Sequence, residues 1–330
     1  MRKADFLSLP VPELPPVRYV ARGYYTSAYY VVEPKRMSGN EGVAPPQSEE
    51  KFDPELEPDY FEEFGYPKSA PTPQTTKHEE YQTIVLCHGL AANGLQFVAD
   101  AHFFAAQGFR VIVPDLRGHG RSKIPDEKLI SDADITIRIL AEDLVAILDK
   151  EGVKKAHWVG NSLGGIVALS LMDTHPRRLG DVVVFGTSFS MDISPRFTTI
   201  AQGASKLISQ KNLALLGARL TSNKPEAQAI IYQMIRKANP KITFGIARYL
   251  AKYDMIENAR TFDGAILMLR ADKDILINRA MKATLPEMQD NNLFFRKDIQ
   301  NAGHCANLDQ PQIVREAILD FIGGGWVTSD

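Results

Sequence analysis

The run Val159-Gly160-Asn161-Ser162-Leu163-Gly164-Gly165 holds the residue best placed to do chemistry in this chain. Ser162 stands at the centre of a G-x-S-x-G spacing, with a β-like run before it (residues 156–159) and a helical run after it (166–172). A strand that turns sharply into a helix strains the backbone at its apex. A serine there holds its hydroxyl above the sheet, beside helical N–H groups that favour developing negative charge. Gly160 and Gly164 lack a Cβ and so allow the strand and the helix to crowd that turn. Such a hydroxyl is a nucleophile once a base takes its proton. The pentapeptide alone also reads as a glycine-rich turn around an ordinary serine, so its surroundings must decide.

Those surroundings alternate. Residues 83–87, 109–113, 156–159, 181–186, 265–269 and 293–295 read as apolar strands. Between them, 94–107 reads as a helix closed by Gly108. Residues 132–150 read as an amphipathic helix with Ile135, Ile139, Leu140, Leu144, Ile147 and Leu148 on one face and Gly152 as its stop, and 312–322 as a final helix. Continuous apolar strands alternating with helices predict a mostly parallel sheet covered on both faces. Residues 17–33 predict a β-hairpin turning at Arg22-Gly23 or Thr26-Ser27, with its tyrosines half-exposed. Residues 34–80 are rich in proline and acid, predicting an irregular insertion with one short helix near Tyr60-Phe61-Glu62-Glu63-Phe64. Residues 189–260 break the alternation, read as mostly helical, and are locally basic (Lys211, Arg219, Lys224 and Arg236 among others). The acidic stretch 49–63 has the opposite charge. Docking of the two across the entrance is one reading, and two independently solvated surfaces is the simpler one.

With 330 residues, 44% hydrophobic and 24% charged, the composition is that of a globular protein whose core needs no disulfide staples. Two cysteines predict a reducing compartment, and residues 1–15 hold no apolar segment of signal-peptide type. No run approaches the ~20 apolar residues that span a bilayer. A net charge of −2 offers nothing to nucleic acid. These readings predict a cytoplasmic protein with a small-molecule substrate. No zinc-type spacing or phosphate-binding glycine loop stands out, so neither a metal nor a cofactor is implied.

Four motifs in order carry a resemblance: Cys87-His88-Gly89-Leu90, Asp115-Leu116-Arg117-Gly118-His119-Gly120-Arg121-Ser122, Gly160-Asn161-Ser162-Leu163-Gly164, and Ala302-Gly303-His304-Cys305. From about residue 81 onward the chain resembles an α/β-hydrolase-fold serine hydrolase. The resemblance implies a mostly parallel central sheet flanked by helices, with a helical cap inserted between core strands. It divides the chain into residues 1–80 (N-terminal strands and the proline-rich insertion), 81–188 (core), 189–260 (cap) and 261–330 (core). It further implies a catalytic order of Ser, Asp or Glu, then His. Ser162 is then the nucleophile and His304, after the last strand, the base. Asp274 is the acid, with Asp272 as the alternative because Ala271 stands where the family usually has glycine. The oxyanion hole falls to the backbone N–H groups of Leu163 and Leu90. Arg117 reads as half of a structural ion pair rather than a substrate contact, and Cys87 and Cys305 as small buried residues.

The reaction that the resemblance implies is hydrolysis of a carboxylic ester or lactone through an acyl-enzyme. Alternatives are carbon–carbon bond hydrolysis of a vinylogous diketone (suggested by Asn161 beside the serine), acyl transfer or perhydrolysis, and a ligand-binding protein with slow turnover. Ser162 argues against the dehalogenases and epoxide hydrolases of this fold, which carry aspartate at that position.

Overall fold

The computed structural model describes residues 5–34, 82–124, 130–194, 203 and 208–324. The strands are β1 (Val17–Arg22), β2 (Tyr25–Val32), β3 (Thr83–Cys87), β4 (Arg110–Pro114), β5 (Ala156–Asn161), β6 (Leu179–Phe185), β7 (Ser190–Asp192), β8 (Lys252–Asp254), β9 (Ile266–Ala271) and β10 (Phe294–Ile299). Eight of them form one sheet in the order β1-β2-β4-β3-β5-β6-β9-β10. From β4 to β10 all neighbours are parallel, whereas β1 and β2 add an antiparallel edge. The helices are α1 (Val98–Ala106), α2 (Ile137–Lys150), α3 (Leu163–Thr174), α4 (Gln210–Thr221), α5 (Pro225–Lys237), α6 (Pro240–Leu250), α7 (Ile256–Arg260), α8 (Ile275–Met288), α9 (Ala306–Asp309) and α10 (Pro311–Ile322).

Parallel strands are buried on both faces, which is why they read as unbroken apolar runs. Val182 and Val184 of β6 point into one core with Trp158, Leu144 and Ile166, while Val183 and Phe185 point into the other with Phe104, Val159 and Phe321. A third apolar cluster joins α4 and α5 (Ala214, Ala218, Ile231, Met234) to Phe6 near the N-terminus. It also includes Ala92 and Cys305, from the loops that follow β3 and β10.

Several local expectations are refined. The hairpin turns at Gly23, with φ +63°, and not at Thr26-Ser27. Its Tyr29 and Tyr30 are fully buried, not half-exposed, because β2 is covered on both faces and the two rings enter opposite cores. Their hydroxyls donate to Glu151 Oε1 (2.6 Å) and Asp115 Oδ2 (3.0 Å). The helix expected over 132–150 is a 3-10 turn (Asp132–Ile135) followed by α2. Thr136 is extended and its hydroxyl accepts Ile139 N–H (3.3 Å), so a new N-cap begins there. Short strands β7 and β8 pair antiparallel where the chain leaves the core and returns to it. Three residues are too few to display an alternation in sequence. Residues 35–80, with the expected helix near 60–64 and the acidic stretch 49–63, lie outside the described residues. Among the described residues no helix is long and apolar enough to cross a membrane.

Arg117 does form an ion pair. Its guanidinium meets Asp143 of α2 at two points, both 2.7 Å, with both side chains buried, and it stacks 3.9 Å over the Tyr25 ring. Replacing the arginine would leave a buried carboxylate whose one remaining cation, among the described residues, is Arg22 at 3.4 Å. Arg117→Met is expected to lower stability by about 3–5 kcal/mol in urea unfolding. A loss below about 1 kcal/mol would mean that the pair behaves as a surface one.

Candidate active site

Ser162 links β5 to α3 with φ 52° and ψ −113°, a left-handed conformation that few non-glycine residues adopt. Its own N–H donates to Phe185 O at the end of β6 (2.9 Å), which pins the apex to the neighbouring strand. The helix behind it runs so close to β3 that a Cβ on Gly164 would fall 2.1 Å from Cys87 O, which explains the glycine. Leu163 is buried and opens α3. Among the described residues its backbone N–H meets no protein acceptor, and neither does that of Leu90.

His304 follows β10. Its Nδ1–H donates to Asp274 Oδ2 at 2.7 Å, leaving Nε2 as the basic nitrogen. Asp274 is 8% exposed and is the N-cap of α8, its Oδ1 accepting Ile277 N–H at 3.4 Å. A helix N-terminus suits a carboxylate and fixes its orientation. Asp272 does something else: its Oδ1 accepts Ala302 N–H (3.0 Å), so it fastens the loop before His304 and not the imidazole. Between the two candidate acids, the geometry brings Asp274 to the ring.

The serine and histidine segments are joined through Asn161. Its Nδ2 donates to Phe185 O (3.1 Å) and to His304 O (2.9 Å), and its Oδ1 accepts from Gln96 Nε2 (2.9 Å). Gln96 also accepts Gly89 N–H through Oε1 (3.4 Å). Gly89 lies against the apex, since a Cβ on it would sit 3.3 Å from Ser162 Cβ. Three loops at the carboxyl ends of β3, β5 and β10 therefore share one buried polar network. From the other side, Asp309 accepts Gly303 N–H (2.7 Å) and the Ser222 hydroxyl between α4 and α5, coupling the inserted helices to the histidine loop. Sequence reasoning missed Gln96 and Asp309, which carry no motif. It noticed Asn161 but not that its whole hydrogen-bonding capacity is spent internally. Cys87 and Cys305 are buried, and burial pushes both thiols well above the ordinary range, which disfavours the thiolate a nucleophile needs.

Two more histidines brace the loop after β3. His88 Nε2 accepts Leu116 N–H (3.0 Å), so its Nδ1–H donates to Gly89 O (2.8 Å). His119 Nε2 accepts Ala91 N–H (3.2 Å), and its Nδ1–H donates to Arg117 O (3.0 Å). Each ring uses one lone pair as an acceptor and must be neutral to do so. Burial lowers both pKa values to about 4, the neighbouring His88 contributing further at His119.

Residues 78–310 match the family model described as Serine aminopeptidase, S33. The protein named Putative carbamate hydrolase RutD from Caulobacter sp. is 26% identical over 253 residues, which is 74% of this chain and 91% of that one. A 2-hydroxy-6-oxononadienedioate/2-hydroxy-6-oxononatrienedioate hydrolase from Paraburkholderia phymatum is 34% identical over 111 residues, or 32% of this chain and 36% of that one. A thermophilic esterase from Thermogutta terrifontis superposes with a TM-score of 0.64 at 23% identity, over 74% of this chain and 90% of that one, a likeness of fold. Sheet order, flanking helices and these matches define an α/β hydrolase, and the enzyme class is that of the hydrolases. Within that class, the chain belongs to the family of Serine aminopeptidase, S33.

The two neutral histidines give a signed pH dependence. The unfolded chain protonates each imidazole below about pH 6.5. The folded chain does so only near pH 4, so stability falls as pH drops through that window and is unaffected by these groups above it. Near pH 5 the two together predict a slope of about 2.5 kcal/mol per pH unit in chemical denaturation. His88→Gln is expected to remove about half of it. A slope between pH 6.5 and 4.5 that His88→Gln leaves unchanged would contradict the assignment.

Proposed function

We propose that the chain is a serine hydrolase that cleaves a carboxylic ester or lactone of a small to medium organic molecule through an acyl-enzyme. One observation carries the reading: the 2.7 Å hydrogen bond that orients His304 on Asp274, in a loop tied through Asn161 to the strained turn of Ser162. Ser162 Oγ attacks the carbonyl carbon and its proton passes to His304 Nε2. Asp274 keeps Nε2 as the acceptor and stabilises the imidazolium. The carbonyl oxygen, now an oxyanion, takes the free N–H groups of Leu163 and Leu90. Collapse of the tetrahedral intermediate breaks the bond to the leaving oxygen, which receives the proton from His304. Water then attacks the acyl-enzyme with the same base, freeing the acid and restoring Ser162. If another nucleophile replaces water, the same intermediate transfers the acyl group instead.

In this reading residues 189–260 form a cap over the strand ends, supported by the packing of α4 and α5 against Ala92 and Cys305 and by the paired β7 and β8 at its base. The segments 1–80, 81–188 and 261–330 complete the division. The two free, buried cysteines support a reducing cytoplasmic setting. Carbon–carbon bond cleavage, the activity named for the relative from Paraburkholderia phymatum, gains nothing from Asn161 here. Its two donors are directed at Phe185 and His304, and its oxygen accepts from Gln96 and, at 3.9 Å, from Cys305 Sγ, with none left for a substrate.

The test is turnover of p-nitrophenyl butyrate and of a panel of lactones. Ser162→Ala is expected to lower kcat/KM about a thousandfold or more. Asp274→Asn is expected to lower kcat by about 10⁴, and Asp272→Asn far less. Equal rates for wild type and Ser162→Ala would refute the mechanism. A larger loss at Asp272 than at Asp274 would refute the assignment of the acid.

A further inference from the structure

The turn after β3 is where the proposed oxyanion hole is either formed or lost. Gly89, Leu90, Ala91 and Ala92 make a four-residue turn closed by Ala92 N–H donating to Gly89 O (3.2 Å). Its third residue, Ala91, has φ +58°, a conformation that penalises any side chain, including a methyl group. Two peptides in this turn can rotate. In the first, Gly89 O is held by Ala92 N–H and His88 Nδ1–H. The Leu90 N–H of that same planar, trans peptide must then point the opposite way. In the second, between Leu90 and Ala91, the N–H donates to His119 Nε2. Without that acceptor no hydrogen bond among the described residues opposes a flip of the Leu90–Ala91 peptide, which would relieve the left-handed alanine and leave the turn, and with it the Leu90 N–H, held by the two bonds to Gly89 O alone.

The His119 ring is itself on a rigid mount. Its loop winds around the Asp115 carboxylate, which accepts Gly94 N–H (2.7 Å), Arg121 N–H (2.8 Å) and the Tyr30 hydroxyl. The winding is so tight that a Cβ on Gly120 would lie 2.2 Å from that carboxylate. His119 N–H donates to Leu116 O (2.8 Å), and Ser122 N–H donates to His119 O (3.0 Å). The tautomer is set by Arg117 O, and Arg117 is clamped by Asp143 of α2. A chain of named contacts thus runs from a core helix to the turn beside Ser162.

We propose that His119 is a positioning residue for transition-state stabilisation: as a neutral acceptor for Ala91 N–H, it locks the Gly89–Ala92 turn so that Leu90 N–H stays available to the oxyanion. The inference rests on the acyl-enzyme reading above and adds to it a residue that touches neither substrate nor triad. It explains why the ring sits neutral and buried 28 residues from the turn it serves, with His88 beside it at a centroid distance of 5.3 Å.

Asparagine and glutamine dissect the ring. In His119→Asn the side-chain amide still donates to Arg117 O but falls short of Ala91 N–H, whereas the longer His119→Gln presents an oxygen where Nε2 was. Both variants, with His119→Leu, are compared with wild type in the full chain for p-nitrophenyl butyrate turnover and for inhibition by butaneboronic acid. The boronic acid's tetrahedral serine adduct places an oxygen in the oxyanion position. The expected result is a fall in kcat of about tenfold or more for Asn and Leu, with KM within about twofold and boronate affinity falling in step, and most of the loss recovered by Gln. A merely structural role predicts loss of folded protein with the kcat of the folded fraction unchanged. That result, a loss carried by KM, or equal defects in Asn and Gln would each overturn the proposal. An inactive Ser162→Ala beside an undiminished His119→Asn sinks this inference alone, whereas turnover that survives Ser162→Ala sinks the reading on which it rests.

Discussion

Holding one non-glycine residue, Ser162, in a left-handed backbone is the constraint on which the rest of the site depends. Such a conformation costs of order 1–3 kcal/mol and persists only where the surroundings over-determine it. Here they do so from three directions. β6 accepts the serine's own N–H, α3 begins at the next residue, and β3 approaches so closely at Gly164 that no side chain fits between. The eight-stranded sheet supplies the stiffness. Its parallel strands are locked by apolar packing on both faces, so a strained turn at their carboxyl ends cannot relax without disturbing two cores.

Polar groups then convert stiffness into geometry. Asn161, next to the apex, links the end of β6 to the histidine loop, and Gln96 links Asn161 to the turn after β3. The two aspartates near the end of β9 divide the work. Asp272 holds the backbone before His304, and Asp274 holds the ring from a helix N-cap. Buried polar networks of this kind stabilise only when every member is satisfied. The neutral state of His88 and His119 follows from the same requirement, because a proton on either Nε2 would set two donors against each other.

Much of this was legible in the sequence where physics acts locally. The apolar runs of β3 to β6 and the amphipathic face of α2 announce a covered parallel sheet, and the glycines around Ser162 announce the crowded turn. Two of the four motifs of the resemblance point to Ser162 and His304, and Asp274 is expected from its place after a core strand, with Asp272 as the alternative. What was not legible depends on contacts between residues far apart in the chain. Tyr29 and Tyr30 look like half-exposed strand residues until β2 is seen to be covered on both sides. Asn161 beside the serine suggests a carbon–carbon bond hydrolase until His304 O and Gln96 are found around it. Gln96 and Asp309 carry no signal, because an isolated amide or carboxylate acquires its role only from partners such as Asn161 and Ser222, 65 and 87 residues away.

The central claim is a covalent intermediate on Ser162, and the most direct measurement is intact-protein and peptide mass spectrometry after rapid acid quench of the enzyme with excess p-nitrophenyl butyrate. The account predicts a transient population heavier by one butyryl group, mapping to the peptide that contains Ser162 and decaying on the timescale of turnover. Sustained turnover with no such adduct, or an adduct on a different residue, would contradict it.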